Sequence, residues 1–176
     1  VPLVGGMFFL NIMWVLLTQI DKLILSGLLS LHEYGYFTLA IVAAGGVLIL
    51  LPTMNQVIQP RLSFLIASGQ HEPFKELYRL ASQAGAIAFL CIGVSLAFFS
   101  PTIMLIWTGD PETAAASAPI LFWYALANAL VGIMLMPFMM QFAKGDLRLH
   151  VVGQVILLFT LLPALIIVAR DYGAVG

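Results

Sequence analysis

The chain has 176 residues, of which 62% are hydrophobic and only 9% charged, whereas soluble domains carry about 25% charged residues. That composition belongs to a membrane protein, and a formal net charge of −1 offers no basic surface for nucleic acid. The single cysteine, Cys91, excludes an intrachain disulfide and any multi-cysteine metal site. Inside its apolar run it is expected to be a buried packing residue.

Five apolar runs are long enough to cross a bilayer: residues 7–29, 36–58, 84–106, 119–142 and 151–168. At 1.5 Å per residue, about 20 helical residues cover the roughly 30 Å hydrocarbon core. The first run differs from the rest in carrying Asp21 and Lys22 near its middle. A charge at the centre of a membrane helix costs about 2.5–3.5 kcal/mol on insertion scales and usually faces a cavity or a partner.

At about 100° per residue, Asn11, Thr18 and Lys22 fall within about 20° of one line, with Gln19 and Asp21 about 80° to either side. The opposite half presents Phe9, Met13, Leu16, Ile20 and Leu23. Helical side chains lean toward the N-terminus, which turns Lys22 back into the membrane rather than out to the nearer interface. Asp21 and Lys22 are adjacent and point about 100° apart, so each is expected to need its own partner from another helix, water or a ligand. The competing reading is that groups on other helices merely fix both charges.

The second run ends in Thr53, Asn55, Gln56 and Gln59, which an interface position explains. Pro60 is expected to end this helix, Gly69 to break the chain, and Pro73 to sit in the first turn of the next helix. The segment 73–81, PFKELYRLA, reads as an interfacial amphipathic lead-in to the third span. The run 84–106 follows, and then TGDPETAAASAP, where Asp110 caps a helix that Pro111 opens; that reading also covers Glu112. In the fourth run Ala125, Ala129 and Gly132 share a face suited to close helix packing. Asn128 and Gln154 read as interhelical hydrogen-bonding amides, and Pro52, Pro137 and Pro163 as candidate kinks.

Loops 59–83 and 143–150 hold Arg61, Lys75, Arg79, Lys144 and Arg148, while loops 30–35 and 107–118 hold no Lys or Arg. The positive-inside bias makes the first pair cytoplasmic and starts the chain inside. Arg170 alone dissents. No short basic leader precedes the first run, and a fragment of a longer protein is expected.

Motifs for chemistry are missing from the sequence. His32-Glu33 and His71-Glu72 lack the second histidine of a zinc protease helix, and there is no phosphate-binding glycine loop or nucleophile elbow. The chain is therefore expected to be no enzyme and to hold no metal or cofactor. Transport would draw on an ion gradient, the membrane potential, or sequence elsewhere.

The segments TQIDKLILSGLLSLHEYGYFTLA, QPRLSFLIASGQ, FKELYRLAS, LIWTGDPETAAASAPIL and PFMMQFAKGDLRLHVVGQ, in that order, resemble the bacterial polysaccharide (O-antigen) flippases. These form the Wzx-type branch of the multidrug/oligosaccharidyl-lipid/polysaccharide exporter superfamily. The resemblance covers nearly the whole chain and implies an all-α, MATE-like transporter of twelve helices in two halves, with helices seven to eleven present here. It implies a bacterial inner-membrane protein moving an undecaprenyl-diphosphate-linked oligosaccharide, an O-antigen or exopolysaccharide repeat unit, from the inner to the outer leaflet. Polysaccharide-assembly proteins are implied partners.

On that resemblance Lys22 meets the diphosphate, and Asn11, Thr18 and Gln19 meet sugar or phosphate oxygens. Asp21 is either a site for a coupling cation or proton, or a residue that positions Lys22 through a third group. The rival readings are a multidrug exporter of the same superfamily led by Asp21, a lipid II flippase, and a non-transporting membrane subunit of a polysaccharide-synthesis complex.

Overall fold

The computed structural model describes residues 2–145 and 148–172, and the described residues include helices and turns but no strand. The elements are α1 (Pro2–Leu28), α2 (Leu31–Ala44), a 3-10 turn (Gly45–Ile49), α3 (Leu50–Ala67), α4 (His71–Phe98), α5 (Ser100–Thr108), α6 (Pro111–Lys144) and α7 (Arg148–Tyr172). Among the described residues, three helical stretches are long and apolar enough to cross a membrane: Leu31–Ala67, His71–Phe98 and Pro111–Lys144. The expected first and fifth spans fall in α1 and α7, helices of 27 and 25 residues.

The chain divides into two compact units, Val1–Gly35 with Gly145–Gly176, and Tyr36–Lys144. In the first, α1 packs against α7. In the second, α4 and α6 form the principal seam. Ala81, Gly85, Phe89, Gly93 and Ala97 recur every fourth residue on the buried face of α4. They meet Ala118, Leu121, Ala125, Ala129, Gly132 and Met136, all buried on α6. Small residues let the two backbones approach closely. A Cβ on Gly93 would stand 2.5 Å from the Ala129 Cβ and 2.9 Å from the Ala125 carbonyl oxygen, and one on Gly132 would stand 2.2 Å from two carbons of the Phe89 ring. The face expected from Ala125, Ala129 and Gly132 is this seam.

Toward the α3–α4 turn the seam widens into a core of Leu62, Leu65, Phe74, Ala81, Met136 and Met139. Phe74 and Leu77 of the expected interfacial lead-in pack here, in the opening turns of α4 itself. Protein thus covers the Phe74 and Leu77 side of the segment, while Leu80, 52% exposed, lies off that face.

Several helix limits differ from the sequence reading. The run 36–58 is interrupted by the 3-10 turn. There Gly45 and Gly46 have low helix propensity, and Pro52 denies Leu48 its hydrogen bond. Pro60 does not end the second span but lies inside α3, which continues to Ala67. Burial of Leu62 and Leu65 in the core stabilises the turn beyond the proline. The run 84–106 is not one helix: α4 stops at Phe98 and α5 restarts at Ser100, because Pro101 cannot donate to the Ala97 carbonyl and its ring crowds it. The Phe99 N–H bonds the Ala97 and Ser95 carbonyls instead. Buried Ser100 and Met104 then seat α5 on α6.

Other local expectations hold. Gly69 closes α3 at φ 69°, with its N–H on Ile66 O at 3.0 Å and the Gln70 N–H on Leu65 O at 2.9 Å, the two bonds of a Schellman end. Pro73 occupies the first turn of α4. Asp110 caps α6, its Oδ2 accepting the Thr113 N–H at 2.8 Å and the Thr113 hydroxyl at 2.5 Å.

Candidate functional site

The polar face of α1 can be built up one side chain at a time. Lys22 is partly buried, and its Nζ donates to Gln19 Oε1 at 3.0 Å. The side chain therefore runs back one turn toward the N-terminus, as the lean of helical side chains requires. The carboxylate of Asp21 turns to the main chain, where Oδ1 accepts the Lys22 N–H at 2.8 Å. Both charged groups thus find hydrogen bonds inside their own helix. For Lys22, a partner one turn back in its own helix stands beside the expected partners from another helix, water or a ligand.

Thr18 lies one turn further in. Its hydroxyl donates to Trp14 O at 2.8 Å and approaches Val15 O at 3.3 Å. That bond leaves the hydroxyl oxygen free to accept but occupies its single proton. Gln19 is exposed, and with Oε1 engaged by Lys22 its carboxamide keeps two N–H groups to donate. Asn11 lies in α1, and its side chain is outside the described residues. The structure thus joins Gln19 to Lys22 directly. On the opposite half, Leu16 is 40% and Leu23 70% exposed, the surface a lipid or a neighbouring helix would cover.

Chemically, Lys22 and Gln19 form a side-by-side donor pair. An ammonium has three N–H groups and a carboxamide two, and one ammonium proton is spent on the bond between them. Such a pair suits oxygen anions and hydroxyl-rich ligands.

The remaining polar positions divide between structure and open questions of packing. Asn128 Nδ2 donates to Ala44 O at 2.9 Å, joining α6 to the end of α2 where the 3-10 turn begins. This is the interhelical bond its sequence position suggested. Gln154 instead meets His150 within α7, at 3.3 Å between Nε2 atoms. Gln59 is not at an exposed interface: both atoms of its carboxamide are buried without a hydrogen-bond partner, as are the hydroxyl of Ser82 and Oε1 of Gln141. No periodicity argument singles out Ser82 or Gln141, because each lies beside the seam residues. Cys91 is exposed rather than buried. The seam takes Phe89 and Gly93, and Cys91 lies about 200° from each. It lines an open, mainly apolar groove with Ile92, Ser95, Leu96, Phe99, Thr102 and Ile103.

A capping box missed in the sequence reading sets the start of α2. Ser30 N–H and hydroxyl both donate to Glu33 Oε2, at 2.9 and 2.7 Å, and Glu33 N–H returns to Ser30 Oγ at 3.3 Å. The signal was present as Ser-x-x-Glu in SLHE. Glu33 is therefore occupied as a cap. Among the described residues no group of three or more His, Cys, Asp or Glu side chains is placed to hold a metal ion.

No family model, no curated protein and no solved structure matches the chain.

Proposed function

We propose that the chain is part of a multi-pass membrane transporter that moves an undecaprenyl-diphosphate-linked oligosaccharide across the bacterial inner membrane, from the inner to the outer leaflet. The observation that carries the reading is Lys22: an ammonium in the last third of an apolar helix, its stem run back toward the N-terminus and held beside a second donor, Gln19. An intramembrane charge of this kind is retained at some cost and marks a ligand or ion path. A diphosphate is the part of a lipid-linked sugar that an apolar cavity could not otherwise accept.

The reading includes α1 and α7 as further spans beside the three stretches long and apolar enough to cross, giving five helices of a MATE-like, twelve-helix architecture. Its ordered sequence resemblance to the polysaccharide flippases supports this. The N-terminus lies inside, on the strength of the Lys and Arg asymmetry of the loops. Two halves would alternate access around a midplane site. Lys22 offsets the diphosphate charge, while Asn11, Thr18 and Gln19 contact its oxygens or those of the sugars. Asp21 binds a coupling cation or proton, or helps to fix Lys22.

The test uses the full-length gene, deleted in its host and restored as wild type or Lys22→Ala. Surface polysaccharide and the pool of lipid-linked oligosaccharide are measured together. The expected result is loss of polymer and accumulation of the intermediate, rescued by wild type and not by a normally expressed Lys22→Ala. Full rescue by that variant would remove Lys22 from the path. Unchanged polymer on deletion, with altered drug sensitivity, would instead favour an exporter centred on Asp21.

A further inference from the structure

We infer that Gln19 is the positioning residue of Lys22, holding its ammonium about one helical turn deeper than an unrestrained lysine at that position would place it. The proposal rests on the reading of Lys22 as the diphosphate ligand, and it concerns how that ligand is kept available.

Three observations support it. The hydrogen bond itself is 3.0 Å from Nζ to Oε1, an ordinary N–H···O length made by an ionised donor. The spacing of three residues places Gln19 about 4.5 Å nearer the N-terminal end along the helix axis, so the bond directs the flexible lysine stem inward. Asp21 Oδ1 accepts the Lys22 N–H, and the ammonium's own hydrogen bond goes to Gln19. Without an acceptor at position 19, the long stem is free to carry its charge toward the interface beside the α1–α2 turn, the nearer water. Such a lysine would be present in the sequence and absent from the site.

A neutral acceptor is also the suitable one. Glutamine fixes the ammonium without cancelling its charge, and its N–H groups remain to donate to the same anion. A glutamate would hold the lysine more tightly but would set a carboxylate against the incoming diphosphate.

The experiment uses the full-length protein in its own membrane. A membrane-impermeant amine reagent is applied from the side of the α1–α2 turn, and modification of Lys22 is read by peptide mass spectrometry. Gln19→Met keeps the length and helix propensity of glutamine but removes the acceptor. It is expected to raise modification of Lys22 about tenfold, the population change expected from losing one charge-assisted hydrogen bond. Gln19→Glu is expected to keep Lys22 as protected as in wild type while lowering polymer export. Wild-type protection in Gln19→Met, or equal exposure in both variants, would overturn the proposal, since a packing role alone would not distinguish the two. Failure of the diphosphate reading appears separately, as full rescue by Lys22→Ala whatever the labelling shows.

Discussion

A glycine inside a helix weakens it by roughly 0.5–1 kcal/mol relative to alanine, so the α4–α6 seam retains its glycines for the space they leave. The space differs from site to site. At Gly85 an added methyl would meet only the terminal carbon of Met54, at 2.9 Å, and that flexible end can swing aside. At Gly93 it would meet the Ala125 carbonyl and the Ala129 Cβ, and at Gly132 the body of a fully buried Phe89 ring. We expect Gly93→Ala and Gly132→Ala each to lower stability by about 1–3 kcal/mol, as overpacking does, and Gly85→Ala to be close to neutral. Thermal unfolding of the three variants in one detergent measures the contrast; an equal loss at all three would mean the seam is not packed this way. The sequence revealed the seam through the spacing of Ala125, Ala129 and Gly132. It did not reveal which small residue faces a rigid neighbour, because that depends on the partner helix. The lean of the Lys22 Cα–Cβ bond was legible because any α-helix has it; the bond to Gln19 that fixes the far end of the stem was not.

At the scale of elements, the same residue type had different outcomes in different contexts. Pro60 is carried within α3, whereas Pro101 separates α4 from α5. The difference lies in what the next turn can bury. Leu62 and Leu65 enter the core on the axis of α3, while Ser100 and Met104 find α6 only after the chain has broken and restarted. Local signals fixed by a few neighbouring residues, such as Asp110-Pro111 and Gly69, could be read directly. The break at Gly45 could not, since it leaves the Ala44 carbonyl to be satisfied by a residue 84 positions away. Removing that amide with Asn128→Ala should cost about 0.6 kcal/mol and at most about 1.7, the range for interhelical bonds in membranes. Detergent melts are again the measurement. A neutral effect would indicate that the 3-10 turn satisfies its own carbonyl.

For the whole molecule, the three established apolar stretches make a definite demand on sidedness. If Leu31–Ala67, His71–Phe98 and Pro111–Lys144 each cross once, the α3–α4 turn and the end of α6 share one side and the α5–α6 turn lies on the other. Cysteines at Gln70 and Lys144 should then be labelled from the same face of the membrane, and one at Glu112 from the opposite face. Exposed Cys91 must first be replaced by serine. Labelling of Gln70→Cys and Lys144→Cys from opposite faces would exclude this arrangement. Composition and hydropathy alone sufficed to anticipate helices long and apolar enough to cross a membrane, since a backbone in lipid must satisfy its own hydrogen bonds.

The inward pairing on α1 bears on how the chain is made. Membrane helices enter the bilayer in succession during synthesis, and α7, against which α1 packs, is made after it. A helix whose buried charges depended on later neighbours would have to wait at the translocation channel or be inserted at full electrostatic cost. With Lys22 bonded to Gln19 and Asp21 to the adjacent amide, α1 brings part of the solvation of both charges with it. Hydrogen bonds made within α1 thereby lower the cost of carrying both charges into lipid, whatever partners the folded helix later meets.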